Sequence, residues 1–245
     1  MNRALVTGAA KGLGLALVDE FAKNGWHVIA ACHRASDFPA RSYSDMVEVT
    51  EVDLQDDTSI NALVSCVGDR AVDVLVNNAG VYDAKEVADE DQEQIDNSLE
   101  RISEIFQVNS IAPKLLTDRL APNIARSEKK LVVTISSGMG TYAKLKNEGT
   151  GEFSAAADNV YHAKHWPYCA SKTAVNYSML AFGIEHPDIQ SVLINPGWMR
   201  TNIGGPDATL SPEQSAASIF KLITTHETSL PNGKLVDYNG DIMQL

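Results

Sequence analysis

The chain has 245 residues, 44% of them hydrophobic and 21% charged, and its 20 Lys and Arg stand against 32 Asp and Glu for a formal net charge of −12. Such a composition belongs to a globular protein long enough to bury a large core, and it excludes disorder, collagen and coiled coil. A broadly acidic surface repels phosphate backbones and anionic lipid, so neither nucleic acid nor a membrane is an expected partner.

In chain order, an apolar strand at residues 4–7 runs into the glycine-rich stretch Thr7-Gly8-Ala9-Ala10-Lys11-Gly12-Leu13-Gly14 and then into a helix over 13–24. Further strands are predicted at 27–31, 47–52, 72–77, 131–136, 190–194 and 234–237, and helices at 58–67, about 94–126, about 167–185 and 212–225. Most of these strands are nearly continuous apolar runs, the pattern of strands covered on both faces by helices. Their alternation with helices specifies repeated βαβ units, hence an α/β fold built on a mostly parallel, doubly wound sheet of seven strands. Ser211, Pro212 and Gln214 form a start signal for the last helix. Two long loops are expected, one at about 138–165 with Gly138, Gly140, Gly149 and Gly151, the other at 202–210. Loops of the first kind are commonly lids.

No apolar stretch approaches the roughly 18 to 20 residues that span a bilayer, and the run Ala4-Leu5-Val6 is too short for a signal-peptide core. Cys32, Cys66 and Cys169 are scattered, so their spacing specifies neither a disulfide framework nor a metal cluster. His162 and His165 are close together but no further spacing completes a ligand set, and no metal is assigned. A cytoplasmic location is the expectation.

Three patterns carry chemistry. The glycines after the first strand let the backbone approach a phosphate at a helix N-terminus, whose dipole favours negative charge; an ordinary glycine-rich turn is the plainer reading. Asn77-Asn78-Ala79-Gly80 ends a strand at the sheet edge where open parallel sheets bind ligands, although two amides also suit a turn. Tyr168 and Lys172, four apart, share a helix face. There an ammonium can stabilise a phenolate and pull its pKa from about 10 toward neutrality, making a proton donor and acceptor for an alcohol oxygen. The same spacing in isolation is commonly an exposed surface pair.

Taken together, these motifs resemble the short-chain dehydrogenase/reductase family of the classical type. The resemblance runs through almost the whole chain in one order: Thr7 to Gly14, Asn77 to Gly80, Asn109, Ile135-Ser136-Ser137, Tyr168 with Lys172, and Asn195-Pro196-Gly197-Trp198-Met199-Arg200-Thr201. The tail, at 210–216 and 233–240, looks most like the small carbonyl-reductase or C-factor-like branch. The resemblance implies a Rossmann-type fold, with residues 1–245 as one dinucleotide-binding domain. It makes Tyr168 the general acid/base, Lys172 the group that lowers its pKa and holds the nicotinamide ribose, Ser137 the hydroxyl on the substrate carbonyl, and Asn109 the holder of a relay water. Ser136 is the alternative to Ser137, strand alternation sending the two to opposite faces. Asn109 also has a structural reading, because it continues the helical apolar stripe of Ile95, Leu99, Ile102, Ile105 and Phe106.

For the cofactor, the resemblance points to Gly8, Lys11, Gly12, Leu13 and Gly14 at the phosphates, Asp53 and Leu54 beside the adenine, and Asn78, Ala79 and Gly80. It adds Tyr168, Lys172, Pro196, Gly197 and Thr201 toward the nicotinamide. NAD enzymes place an acid about 20 positions beyond the glycine turn. Here Cys32 stands there, followed by His33 and Arg34, so Lys11 and Arg34 can meet a 2′-phosphate and NADP(H) is the expected cofactor. Asp37, the nearest acid after the strand, lies farther along. The implied activity is NADPH-dependent reduction of a ketone or aldehyde, with a small-molecule carbonyl or alcohol as partner. Trp198, Met199, Tyr142 and Trp166 suggest an uncharged or aromatic substrate. The long connection between Ser137 and Tyr168 leaves monomer and homo-oligomer both open. The rival reading is a catalytically silent NADP-binding sensor on the same fold; NAD-dependent alcohol oxidation is disfavoured by Cys32.

Overall fold

The computed structural model describes residues 2–40, 44–85, 94–142, 157–225 and 230–245. Its elements run β1 (Arg3–Thr7), α1 (Gly12–Lys23), β2 (His27–Cys32), β3 (Val47–Glu51), α2 (Asp57–Val67), β4 (Val74–Asn77), β5 (Ala84–Lys85) and β6 (Gln94–Ile95). They continue through α3 (Leu99–Phe106), α4 (Ala112–Ala125), β7 (Leu131–Ile135), α5 (Ala157–Lys164), α6 (Trp166–Glu185), β8 (Gln190–Asn195), α7 (Pro212–Thr224), β9 (Leu235–Asp237) and β10 (Ile242–Met243).

The main sheet has the order β10-β9-β8-β7-β4-β1-β2-β3 and is parallel except for β10. The chain winds from β1 through β2 to β3, then crosses to β4 on the other side of β1. The strand order reverses there, and the carboxyl ends of β1 and β4 diverge to leave a crevice. Alternation along each strand divides the core between the two faces. Ala4 and Val6 of β1 face Leu13, Leu17 and Phe21 of α1 and Ile219 of α7. Leu5 faces the other layer, with Ile60, Leu63 and Val67 of α2, Leu116, Leu120 and Ile124 of α4, and Val175, Met179 and Phe182 of α6. These spacings of three and four are the apolar faces of amphipathic helices, each large side chain contributing roughly 1.5–3 kcal/mol on burial.

The expected fold class holds, with two differences. The main sheet has eight strands rather than seven, because the two-residue β10 returns antiparallel against β9, too short and exposed to carry a strand pattern. The helix expected over about 94–126 is broken. Gln94–Ile95 instead pairs with Ala84–Lys85 in a two-stranded ribbon, and α3 starts only after Ser98, whose hydroxyl caps the backbone N–H of Arg101 at 3.2 Å. Between α3 and α4 the chain widens into a π turn, Gln107–Ile111, with Ala112 N–H donating to the Gln107 carbonyl. The loop expected at 138–165 holds a short 3₁₀ turn at Gly138–Gly140 and the helix α5, while Gly149 and Gly151 lie outside the described residues. The predicted capping box of α7 is formed: Gln214 N–H donates to Ser211 Oγ at 3.2 Å and Ser211 N–H to Gln214 Oε1 at 2.8 Å. No helix among the described residues is long and apolar enough to cross a membrane.

Candidate active site

A cleft of about 1980 Å³ opens at the carboxyl edge of the sheet, where the turns after β1, β4, β7 and β8 converge. The turn after β1 is fitted to the end of β4. Thr7 Oγ1 accepts the N–H groups of Asn78 at 3.0 Å and Ala79 at 3.1 Å, and Asn78 Nδ2 donates to the Thr7 carbonyl at 2.8 Å. Two glycines are required sterically. Gly8 has φ +65° and a Cβ there would meet Ala79 Cα at 2.8 Å, while a Cβ on Gly14 would collide with the Gly8 carbonyl. The first turn of α1 therefore faces the cleft, with Lys11 at its N-cap making no side-chain capping bond to its N–H groups.

Most predicted site residues line this one cleft: Gly8, Lys11, Gly12, Leu13 and Gly14; Asp53 and Leu54; Asn78, Ala79 and Gly80; Ser137; Tyr168 and Lys172; and Pro196, Gly197 and Thr201. Arg34 and Asn109 are not on its wall. Beyond β2 the wall is His33, whose Nε2 lies 3.9 Å from Asp53 Oδ2, together with Asp37. Arg34, the next residue, is exposed at the N-cap of a 3₁₀ turn, so the alternation of the extended chain puts His33 where Arg34 was expected. Cys32 is fully buried and burial pushes its thiol up to about 11, so a neutral group stands where NAD enzymes carry a carboxylate.

Asn109 is buried in the π turn. Its Nδ2 donates to the Val81 carbonyl at 2.9 Å and to Ser171 Oγ at 3.0 Å, and its Oδ1 accepts Val81 N–H at 2.8 Å. The side chain is thus committed to clamping α6 and the segment after β4. Both serines at the end of β7 reach the cleft, but Ser136 Oγ donates to Asn176 Oδ1 at 2.5 Å. Ser137 Oγ accepts Met139 N–H at 3.1 Å, and its hydroxyl favours the ionised form of the neighbouring Tyr168 phenol.

Tyr168 and Lys172 lie on one face of α6, as their spacing requires, and both are buried, with Lys172 Nζ 5.7 Å from the Tyr168 ring centre. The expected electrostatics are reversed. Burial pushes the Tyr168 phenol up to about 12, opposed by the Ser137 hydroxyl, and burial pulls Lys172 down to about 8. The ammonium points at the Ile135 carbonyl, 2.8 Å away, rather than at the phenol, so desolvation dominates each group. Gly140 packs against Lys172, where a Cβ would come within 2.8 Å of the lysine Cβ, and its carbonyl accepts from Thr173 and Asn176.

The outer cleft is lined by Tyr82, Met139, Tyr161, His162, Trp198, Met199 and Ile203, with Asp96, Glu100 and Glu104 along one side. Tyr142 and Trp166 are not on this wall. Tyr142 is 63% exposed, and Trp166, two residues before Tyr168 in the helix, projects away from it. The sequence names His33 only as a neighbour of Arg34 and gives it no role, and it gives none to Tyr82, Tyr161 or the buried Asp83 that meets His165. The first comes directly after a strand and could have been placed by alternation; the others join segments that no sequence spacing relates.

A family model described as short chain dehydrogenase matches residues 2–209. The chain belongs to this oxidoreductase family. This short-chain dehydrogenase is 28% identical, over 98% of its length and 95% of the relative's, to the short-chain dehydrogenase anuI of Penicillium roqueforti. Its fold matches a short-chain dehydrogenase/reductase from Burkholderia multivorans with bound NADP at a TM-score of 0.76 and 27% identity, covering 100% and 99% of the two chains. A carbonyl reductase from Pseudomonas aeruginosa PAO1 in complex with NADP matches at 0.76 and 26% identity, over 100% of both chains. The carbonyl-reductase-like branch seen in the tail motifs is thus the one to which this short-chain dehydrogenase is similar over its full length.

Proposed function

We propose that this short-chain dehydrogenase reduces an uncharged ketone or aldehyde to an alcohol with NADPH. The observation that carries the proposal is the gathering of the Tyr168 phenol, the Ser137 hydroxyl and the Lys172 ammonium in the cleft that continues to the glycine turn and the N-terminus of α1. The cradle fits a dinucleotide: Gly8 and Gly14 let the turn fold tightly against Ala79 and the Gly8 carbonyl, where a Cβ would clash, and the α1 N–H groups that follow favour a pyrophosphate. Lys11, Gly12 and Leu13 would hold the phosphates, Asp53 and Leu54 the adenine, and Asn78, Ala79, Gly80, Pro196, Gly197 and Thr201 the nicotinamide half. Lys11 and His33, with Arg34 beside them, would receive a 2′-phosphate that the buried neutral Cys32 does not repel. The NADP complexes of the Burkholderia and Pseudomonas proteins support this choice.

When bound, NADPH supplies the hydride that adds to the carbonyl carbon. Ser137 and Tyr168 aim two O–H donors at the carbonyl oxygen, where negative charge develops, and the Tyr168 proton passes to it to complete the alcohol. A phenol held protonated by burial is a ready donor to an alkoxide, which is far more basic. Lys172 would hold the ribose and offset the phenolate left behind, while Asn109 holds Lys172's surroundings through Val81 and Ser171 and would, in the family role, hold a relay water. The aromatic and sulfur groups of the outer cleft, beside Asp96, Glu100 and Glu104, favour an uncharged or aromatic substrate over an anion.

The test is turnover of a panel of aldehydes, ketones and quinones with NADPH and NADH, with Tyr168→Phe as control. The expected outcome is NADPH-preferring turnover that falls at least a hundredfold in Tyr168→Phe, a typical loss for a general acid. The bond between Lys172 and Ile135 and the raised phenol also suit the silent-sensor reading; tight NADPH binding without turnover on any carbonyl would favour it.

A further inference from the structure

Next to Tyr168, at the start of α6, lies a buried acid and imidazole that the proposed chemistry does not use. Asp83 and His165 are both fully buried, and His165 Nδ1 is 2.8 Å from Asp83 Oδ1. Asp83 Oδ2 is buried with no hydrogen-bond partner among the described residues. A buried polar pair gains little net stability over apolar side chains of similar shape, so stability alone gives little reason for this one.

Its position gives a better one. His165 is the joint between two helices: its N–H donates to the Tyr161 carbonyl of α5, and its carbonyl accepts the N–H of Cys169 in the first turn of α6. Tyr168 comes three residues later. Asp83 lies buried in the segment after β4, five residues beyond Asn78. Between the two segments, the Tyr82 ring stacks on His165 with centres 4.9 Å apart and meets Tyr168 edge-on, also at 4.9 Å. The Tyr82 and Tyr161 hydroxyls are 2.8 Å apart, and Tyr161 lies 4.3 Å from His165. The bond between Asp83 and His165 therefore closes a ring of contacts around the phenol that joins both walls of the cleft.

We propose that Asp83 and His165 are a positioning pair, holding the start of α6 on the segment after β4 so that Tyr168 keeps its place against Ser137. The proposal rests on the reading of Tyr168 as proton donor. The groups facing the phenol are Ser137 after β7, Lys172 and Cys169 on α6, Tyr161 on α5, and Tyr82 and Asp83 after β4; Asp83, Cys169 and Tyr161 all raise its pKa. Arg101 of α3 bonds the Tyr82 carbonyl while paired with Glu104, fixing the same wall from outside.

The test compares Asp83→Leu, which removes the acceptor, with Asp83→Asn, which keeps one for the imidazole N–H, in the full chain with NADPH and a carbonyl substrate. Asp83→Leu is expected to lower kcat at least tenfold with the KM for NADPH within twofold, and Asp83→Asn to recover kcat to within threefold of wild type. Wild-type kcat in Asp83→Leu would overturn the proposal, as would equal losses in both variants that track the folded fraction in thermal melts. If Asp83→Leu gives no folded protein, His165→Phe and His165→Asn make the same comparison from the other partner. A readout that needs no turnover is the ultraviolet titration of the phenol, taken as the difference from Tyr168→Phe. Asp83→Leu and Asp83→Asn both remove the Asp83 charge, so the phenol's midpoint should move further from about 12 in Asp83→Leu than in Asp83→Asn, and equal midpoints in the two variants would overturn the pair's role. Turnover surviving in Tyr168→Phe would instead defeat the reading of Tyr168, whatever Asp83 does.

Discussion

At the scale of single residues, Tyr168 and Lys172 are the pair whose placement the sequence anticipates and whose electrostatics it does not. Spacing of four fixes a shared helix face. It says nothing of depth, and depth decides the charge states here. Burial disfavours the charged form of both groups, so the lysine falls to about 8 and the tyrosine rises to about 12. The consequences for stability have opposite signs. Lys172 binds fewer protons in the folded protein than in the unfolded chain between about 8 and its ordinary 10.5, so its contribution makes stability rise with pH across that window. Tyr168 keeps its proton in the folded protein between its ordinary 10.0 and about 12, so its contribution is whole below that window and lost as pH rises through it. Replacing Lys172 by Met removes the first effect alone. Chemical denaturation should find Lys172→Met more favourable, relative to wild type, at pH 7 than at pH 10, by on the order of 2 kcal/mol. Equal differences at the two pH values would mean that the ammonium is better solvated than its surroundings suggest. Between Ser136 and Ser137 the family resemblance chooses Ser137, and the bonds distinguish them: Ser136 donates its hydroxyl hydrogen to Asn176, whereas Ser137 Oγ accepts from Met139 N–H and keeps its own hydrogen to give.

At the scale of elements, strands and the helices that cover them were legible because their apolar periodicity is set by the two faces of one sheet. The break in the long helix was not. Ile95, Leu99, Ile102, Ile105 and Phe106 keep helical spacing, but the Ser98 cap starts the helix at Leu99, and Gln94–Ile95 has a strand partner in Ala84–Lys85. The π turn at Asn109 owes its shape to tertiary bonds with Val81 and Ser171, which no local propensity encodes. The turns after β1 and β2 form the proposed phosphate grip, and they were partly legible: Lys11 lies on the cleft, while His33 takes the wall expected for Arg34. If Lys11 and His33 meet the 2′-phosphate, Lys11→Ala and His33→Ala should each raise the KM for NADPH about tenfold, a charge-assisted hydrogen bond being worth roughly 1.5–3 kcal/mol. The KM for NADH should change less than twofold in both. Arg34→Ala with the larger effect would return the role to Arg34, its long side chain reaching back over the edge of β2.

At the scale of the molecule, topology is set by the order of βαβ units, since right-handed crossovers leave few ways to wind them. The crevice at the reversal between β1 and β4 is a consequence of that winding, and the glycine turn after β1 places the N-terminus of α1 at it. The outer cleft was less legible, because Tyr82, Tyr161 and Trp198 come from three separate segments and only the folded sheet brings them together. Occupation of the whole cleft by a dinucleotide would cross both halves of the sheet, so its binding energy should appear as global stability. A ligand at a hundred times its Kd adds about 2.7 kcal/mol, and a chain of this size gains about 2–4 °C for each kcal/mol. NADPH at that excess should therefore raise the melting temperature by roughly 5–10 °C, with NADH at the same concentration giving a smaller rise. Tyr168→Phe should keep most of the NADPH shift while losing turnover, because the phosphates and adenine are gripped far from the phenol. A shift lost together with turnover would place Tyr168 in binding rather than proton transfer, and no shift with either nucleotide would remove the dinucleotide from the cleft altogether.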